Sequence, residues 1–339
     1  MNTRRFLNPF LAMFLTVVVT APLSNGYAQE LNENWSLPRT AEGYPDLQGV
    51  WANNNITPLE RPEAWAGKAH LTDEEVAELQ VAASKAVGDG DALFGDQLVL
   101  AAIAQQQAQS YDPSTGNYNQ FWIVERDFSA RTSLVVEPAN GRVPAFTPVA
   151  KDRMAMRLAY GRDHPADSFV DRPLSERCVT YGVPRLGAGY NSYYQIFQSA
   201  DHVVLYMEMN HDARIIPIDG PAHLDDEIRQ WHGDSRGHWD GNSLVIETTN
   251  YSAEATFRGV PADGMTLIER LTRVGPQTLN YEVTIEDPST YTEPWKAIIP
   301  LMGTENAVYE YACHEGNIGM EGILAGHRAE EREALAESR

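Results

Sequence analysis

The segment WHGDSRGHWDG, residues 231–241, concentrates side chains that can transfer a proton or hold an anion. In an extended strand alternate residues project to one face. The ionisable residues that would share a face are His232, Asp234, Arg236 and His238. Histidine can act as acid or base near neutral pH, a carboxylate can orient it, and a guanidinium can hold an oxyanion. The spacing predicts a catalytic set if this face lines a cavity, and only a polar hairpin if it faces water.

Further polar residues at neighbouring turns and strands are expected to complete the site. His211 in the string NHD is a fifth catalytic candidate. Tyrosines, carboxylates and cations inside a barrel would suit a moderately sized, partly aromatic ligand. The alternative is that these polar faces meet solvent and the aliphatic faces form the core. The residues predicted to bind substrate are Tyr190, Tyr194, Tyr206, Glu208, Arg214, His314 and Glu315. Those expected to share one pocket are His232, Asp234, Arg236, His238, His211, Tyr194 and Glu315.

The histidines and acids could also supply metal ligands, but their spacing is not that of a known metal site. HxH, HExxH and the acidic calcium loop do not occur, so no metal is expected. GxGxxG, Walker and GxSxG patterns are also missing, which argues against dinucleotide, ATP and serine hydrolase chemistry. The sequence therefore predicts no cofactor, and a metal-dependent hydrolase remains an alternative.

Short strand-like runs separated by turn signals dominate the chain after Ser110. About ten such runs predict a mainly β protein, an antiparallel β-barrel of the calycin type or a sandwich. The runs are NQFWIVER, RTSLVVEP, YYQIFQS, HVVLYMEMN, ARIIPID, RGHW, NSLVIETTN, TLIERLTRV, LNYEVTIED, WKAIIPLM and NAVYEYAC.

Helices are predicted before, within and after this β-rich region. Thr72 is a good N-cap for a helix that ends near Val87, and a second helical pattern covers 92–109. A short helix is expected near 149–160 and a polar one over 321–338. The predicted organisation is a leader at 1–28, an N-terminal arm with helices at 29–110, and an antiparallel β domain with a C-terminal helix at 111–339.

The first residues resemble a secretory signal peptide. Two arginines precede an apolar stretch too short for an ordinary membrane span, and Gly26-Tyr27-Ala28 places small residues at −3 and −1 of a cleavage site. The predicted mature protein is periplasmic or secreted, with no membrane span. The net charge of −21 makes nucleic acid an improbable partner, because this field repels phosphates.

Cys178 and Cys313 are the two cysteines of the chain. In an exported protein such a pair tends to form a disulfide. The alternatives are a nucleophilic Cys313 beside His314, or two unpaired thiols.

Several long strings carry a resemblance. NHDARIIPIDG, WHGDSRGHWDGNSLVIETTN, YEVTIEDPSTYTEPW and EYACHEGNIGMEGILAG resemble those of a widely distributed family of exported bacterial proteins, over about residues 46–330. This resemblance implies common ancestry and no particular activity. GVW at 49–51 is similar to the Gly-x-Trp that opens the first strand of lipocalin-type barrels.

The number of complementary titratable groups favours an enzyme over a carrier, which needs only one or two polar anchors. The sequence predicts an exported lyase, isomerase or cyclase that applies acid–base catalysis to a hydrophobic or aromatic small molecule. The alternative is a periplasmic carrier of an apolar ligand.

Export gives a first testable prediction. Cleavage after Ala28 should leave Gln29 as the first residue of the mature protein, which N-terminal sequencing of the exported material can show. Recovery of cytoplasmic protein that begins at Met1 would contradict it.

Overall fold

The architecture is dominated by one antiparallel sheet of ten strands. The computed structural model describes residues 35–87, 96–106, 126–188 and 190–338. The strands are β1 (Gly49–Ala52), β2 (Val135–Glu137), β3 (Tyr193–Gln198), β4 (His202–Met207), β5 (Ala213–Pro217), β6 (Asp234–Asp240), β7 (Ser243–Thr249), β8 (Thr256–Phe257), β9 (Val260–Pro261), β10 (Thr266–Gly275), β11 (Thr278–Glu286) and β12 (Trp295–Thr304). The sheet order is β5-β4-β3-β1-β12-β11-β10-β7-β6, β2 also pairs with β12, and β8 pairs with β9 separately.

Hydrophobic residues alternate along several of the strands, and most of the buried ones belong to one core cluster. In β4 the odd-numbered Val203, Leu205 and Met207 are buried, whereas the even-numbered side chains are half-buried. The same period of two continues through β10, β11 and β12. Because one face of all these strands contributes to a single core, the aliphatic faces form the interior.

The two strands at the ends of the sheet order approach each other. Ile218, just after β5, forms an isolated parallel bridge with Gly237 of β6, and the Asp219 N–H donates to the Gly237 carbonyl at 2.9 Å. A Cβ on Gly237 would lie 2.7 Å from Ile218 Cδ1 and 3.0 Å from Ile216 Cγ2. Glycine is therefore needed where these two chain segments meet.

A polar network is buried within the core. Arg214 on β5 donates to both carboxylate oxygens of Glu269 on β10, at 2.8 and 2.6 Å. The same guanidinium donates to Ser235 on β6 and Thr248 on β7, and Tyr281 on β11 donates to Glu269 at 2.6 Å. Burial alone would lower the pKa of Arg214, but the Glu269 carboxylate outweighs it and raises that pKa. The guanidinium is therefore held in its charged form.

The described residues include four α-helices outside the sheet: α1 (Asp73–Ala86), α2 (Gln97–Ala104), α3 (Pro148–Asp163) and α4 (Ile318–Glu337). Thr72 caps α1 through a capping box with Glu75, as its sequence indicates. Leu98, Val99 and Ala102 of α2 pack against α1 in a second apolar cluster. Within the described residues, no helix combines the length and the apolar character needed to cross a bilayer.

Several predicted elements need correction. NAVYEYAC is not a strand, because residues 305–312 have no regular structure. The second helix is shorter at both ends than the predicted 92–109, although parts of that range lie outside the described residues. Most of the predicted strand NQFWIVER also lies outside them. Strand β1, which falls within the predicted N-terminal arm, occupies a central place between β3 and β12.

The buried ion pair gives a stability prediction. Glu269→Gln leaves the Arg214 charge uncompensated in the core, so the free energy of unfolding should fall by about 3 to 5 kcal/mol in urea titrations. The matched control is Glu137→Gln, which removes the partner of Lys296 from a site where the Glu137 side chain is 66% exposed. This control should cost only about 0 to 1 kcal/mol. Equal effects of the two variants would contradict the prediction.

Candidate functional site

The even-numbered residues of β6 do share one face, but it is the outer face of the sheet. Ser235 and Gly237 point into the core, where Ser235 meets Arg214 and Gly237 meets Ile216. His238 is exposed on the opposite side. The prediction that His232, Asp234, Arg236 and His238 turn towards one pocket with His211, Tyr194 and Glu315 is therefore wrong. Alternation assigns residues to faces, but it does not say which face is inside.

Asp234 and Arg236 have mainly structural partners. One oxygen of the buried Asp234 carboxylate accepts from Arg236 Nη1 at 2.6 Å. The other lies 2.8 Å from His223 Nδ1 and accepts from the Leu224 N–H at 3.0 Å. Arg236 also donates to the carbonyl of Pro221 at 3.0 Å. These bonds fasten the segment 221–224 over the outer face of β6.

His232 lies in a different arrangement, beside a threonine and a carboxylate. Its Nε2 is 2.7 Å from Thr180 Oγ1 and 3.3 Å from Asp212 Oδ2. Thr180 donates its hydroxyl proton to Asp212 at 2.7 Å and accepts from the Gly182 N–H at 2.8 Å. Thr180 and Asp212 are buried, whereas 22% of the His232 side chain is exposed. Within the described residues no hydrogen bond occupies His232 Nδ1, so this nitrogen is available to exchange a proton.

The chain positions Asp212 through a tight turn between β4 and β5. Asn210 and His211 both have positive φ, 59° and 45°, which lets the Met207 N–H reach the Asp212 carbonyl at 2.8 Å. Asn210 Nδ2 contacts the other Asp212 oxygen at 3.5 Å. Asp212 therefore immediately precedes β5 with its carboxylate directed at Thr180.

The disulfide between Cys178 and Cys313 positions Thr180, which follows Cys178 by two residues. The predicted disulfide is confirmed, with the Cα atoms 5.6 Å apart. Asn317, the N-cap of α4, donates to the Glu176 carbonyl at 3.0 Å and contacts the Cys178 sulfur at 3.3 Å. The segment that carries Thr180 is thus fixed covalently to the chain before α4.

A pocket of about 180 Å³ adjoins this network at Thr180. Its walls come from α3, the segment 170–182 and residues 254–256. The apolar contribution includes Val170 and Leu174, and Tyr181 adds an aromatic ring. Its charged lining residues are Arg157, Arg172, Arg177, Asp171 and Glu254. Two of these arginines are already paired with carboxylates, Arg172 with Glu176 at 2.7 Å and Arg177 with Glu254 at 2.9 Å, so Arg157 is the lining cation that could meet an anionic group.

A small cavity lies in the core behind the site. A cavity of about 10 Å³ lies between Tyr194, Arg185, Arg214 and aliphatic side chains, which is room for roughly one water molecule. Tyr194 donates to the Arg185 carbonyl at 3.0 Å, and burial raises its pKa to about 12. Burial lowers the pKa of Arg185, whose guanidinium lies 5.7 Å from the centre of the Tyr181 ring. Two predicted substrate-binding residues, Tyr194 and Arg214, therefore belong to a packed core.

The remaining predicted residues surround the site without converging on it. Glu208 is buried, and burial raises its pKa against the opposing effect of the Tyr309 and Tyr193 backbone N–H groups. His211 is exposed, with Nδ1 3.0 Å from the Tyr311 carbonyl oxygen. Tyr190 and Tyr206 are half-buried. His314 and Glu315 are exposed.

Sequence reasoning missed the residues that give His232 its environment. Thr180 lies in an irregular segment with no motif, and only its nearness to Cys178 could have indicated a fixed position. His223 and Glu269 likewise carry no recognisable signal. Within the described residues, the three side chains that converge as candidate metal ligands are Asp167, His327 and Glu331 rather than any predicted histidine.

The fold and site define a mainly antiparallel β protein with a histidine–threonine–aspartate network at one end. No family model and no curated protein matches the chain. Among solved structures, a "secretary abundant heat soluble (SAHS) protein" from Ramazzottius varieornatus is similar at 11% identity and a TM-score of 0.23. The match covers 45% of this chain and 86% of that one, and no inference rests on it.

The buried tyrosines give a pH-dependent prediction. Burial raises the pKa of Tyr194 to about 12, so its phenol ionises more readily in the unfolded chain, near its ordinary value of 10. The unfolded state then binds fewer protons, and stability should fall as pH rises from about 10 to about 12. Urea midpoints at pH 9 and 11 measure this fall.

In Tyr194→Phe the free energy of unfolding should fall less steeply between pH 9 and 11 than in the wild type, because phenylalanine does not ionise. Tyr309→Phe is the control, since Tyr309 is 71% exposed. Identical slopes for the wild type and Tyr194→Phe would contradict this assignment.

Proposed function

We propose that the protein is an exported enzyme of the lyase or isomerase type that uses His232 as its acid–base group. The carrying observation is the contact of His232 Nε2 with Thr180 Oγ1 and Asp212 Oδ2, which leaves Nδ1 open. A histidine oriented through one nitrogen by a carboxylate and free at the other has the arrangement that general base catalysis requires.

Every proton in the proposed reaction has a donor and an acceptor. His232 Nδ1 removes a proton from the substrate and the ring becomes an imidazolium, whose charge the Asp212 carboxylate stabilises. The proton then returns to another atom of the same molecule, as in an isomerase, or leaves with a departing group, as in a lyase. Thr180 keeps the ring in place by accepting from Nε2–H while donating to Asp212.

The proposed substrate is a small molecule with an anionic group and a hydrophobic or aromatic body. Arg157 in the pocket beside Thr180 suits a carboxylate, and Val170, Leu174 and Tyr181 suit an apolar or aromatic portion. This pocket is preferred to the sheet interior, because its volume of about 180 Å³ is much larger than the roughly 10 Å³ of the interior cavity. The packed interior also disfavours the carrier alternative.

Architecture and location belong to the same proposal. The bridge between Ile218 and Gly237 and the core cluster shared by the strands support a barrel in which β5 closes on β6. The disulfide and the signal-like N-terminus support export to the periplasm. We infer no nucleic-acid partner, in keeping with the charge of −21.

Deuterium exchange detects the proton transfer whatever product the reaction forms. A panel of small aromatic and aliphatic carboxylic acids is incubated with the protein in D₂O, and proton NMR follows the loss of C–H signals. His232→Ala should lower the exchange rate about a hundredfold or more, because the proton acceptor is lost.

His238→Ala is the matched control, since His238 lies nearby on β6, opposite Val245 of β7, but is exposed on the outer face. It should exchange at the wild-type rate. An equal loss in both variants, a wild-type rate in His232→Ala, or no exchange with any acid of the panel would count against the proposal.

A further inference from the structure

A second polar cluster lies where α4 meets the turn that follows α3, outside the proposed catalytic site. His327 Nε2 is 3.5 Å from Asp167 Oδ1 and 3.5 Å from Glu331 Oε1. One ligand atom from each of the three residues lies within 4.8 Å of the other two. His327 is the least exposed member, with 17% of its side chain accessible. One imidazole and two carboxylates thus converge on a common point.

We propose that Asp167, His327 and Glu331 bind a divalent transition-metal ion of the zinc class. Zinc binds imidazole nitrogen and carboxylate oxygen at about 2.0 to 2.2 Å, which places neighbouring tetrahedral ligands about 3.3 to 3.6 Å apart. Both measured separations from His327 fall in this range. Three protein ligands leave a fourth position for water.

The backbone already supplies the spacing that this site needs. His327 and Glu331 are four residues apart on α4, so they project from the same face of the helix. Asp167 approaches from the turn, where Arg328 Nη1 donates to its backbone carbonyl at 2.9 Å. The helix face and the turn are therefore held together before any ion binds.

Neighbouring side chains orient the two carboxylates. His164 Nδ1 is 2.8 Å from Asp167 Oδ2, the oxygen that does not face His327. Arg328 Nε lies 2.7 Å from Glu331 Oε2, and its Nη2 donates to Oε1 at 2.8 Å. Metal binding would require Arg328 to give up its hydrogen bond to Oε1, while the ion-pair contact between Nε and Oε2 remains. Outer contacts such as the one between His164 and Asp167 orient metal ligands.

The ligand chemistry selects the ion. Calcium takes six to eight oxygen ligands, whereas a nitrogen ligand with two oxygens suits zinc and its first-row neighbours. The two carboxylates balance the charge of a divalent ion. The spacing rules that predict no metal apply to ligands close together in sequence, whereas Asp167 comes from a distant part of the chain.

A bound ion would fasten α4 to the rest of the protein. No residue of α4 is buried, so the helix has little apolar packing of its own. The N-terminus of α4 is held by Asn317 beside the disulfide, and the cluster of candidate metal ligands lies about halfway along the helix. A bound ion would therefore attach α4 at a second position.

Calorimetric titration with ZnCl₂ tests the proposal on the full mature chain after dialysis against chelator. The wild type should bind one Zn²⁺ per chain, and thermal unfolding should shift upward with Zn²⁺. His327→Ala should abolish stoichiometric binding, as should Glu331→Gln, with circular dichroism showing that the helix persists. His164→Ala should weaken binding about 10- to 100-fold, because it removes only an orienting contact.

His202→Ala is the matched control. His202 is paired with Asp201 at 3.0 Å, a solvent-accessible histidine–carboxylate contact outside the three-ligand cluster, and its loss should leave Zn²⁺ binding unchanged. The proposal is overturned if the wild type binds no stoichiometric Zn²⁺, or if His327→Ala and Glu331→Gln bind it as tightly as the wild type.

Discussion

The buried pair of Arg214 and Glu269 constrains the core, because two charges inside an apolar cluster need hydrogen-bonding partners from the strands around them. Water cannot stabilise them there, so the surrounding strands supply Ser235, Thr248 and Tyr281 as hydrogen-bonding groups. These five residues come from five different strands. Their bonds fix the relative register of β5, β6, β7, β10 and β11, and removal of one charge would leave the other without compensation.

This constraint reaches the candidate site through β5. Arg214 follows Asp212 by two residues, so the strand that places the guanidinium in the core also sets the position of the carboxylate beside Thr180. The disulfide fixes the Thr180 segment from the other side. His232 is thus held between two elements whose positions are determined elsewhere. A proton-transfer group needs such support, since its geometry must be kept while its charge changes.

Much of the fold is predictable from the sequence because strand alternation and turn residues are local signals. The aliphatic side of HVVLYMEMN is buried, Thr72 caps its helix, and the cysteines are joined. Which face of β6 is buried cannot be predicted from the residues of β6 alone. Burial of Ser235 and Gly237 depends on Arg214 and Ile216, some twenty positions away. NAVYEYAC alternates like a strand but finds no partner in the described sheet.

The candidate site is only partly predictable for a related reason. His232 is identified by residue type, but Thr180 and Asp212 reach it across 52 and 20 positions of the chain. Asp167 and His327 are still further apart in sequence. Contacts of this range are set by the fold, so a short motif can supply candidate side chains without indicating which of them meet.

The meeting of β5 and β6 at Gly237 has a consequence for motion within the native state. Strands β6 and β7 share seven residue pairs, whereas in the described part of the chain an isolated bridge just beyond β5 connects the two end strands. Local unfolding requires less free energy where fewer backbone hydrogen bonds must break, so β5 and β6 should separate from each other readily. The buried ion pair lies directly behind the place where they meet, linking β5 to β6 through Arg214 and Ser235. Side-chain hydrogen bonds from the core therefore help to hold β5 and β6 together where few backbone hydrogen bonds connect them.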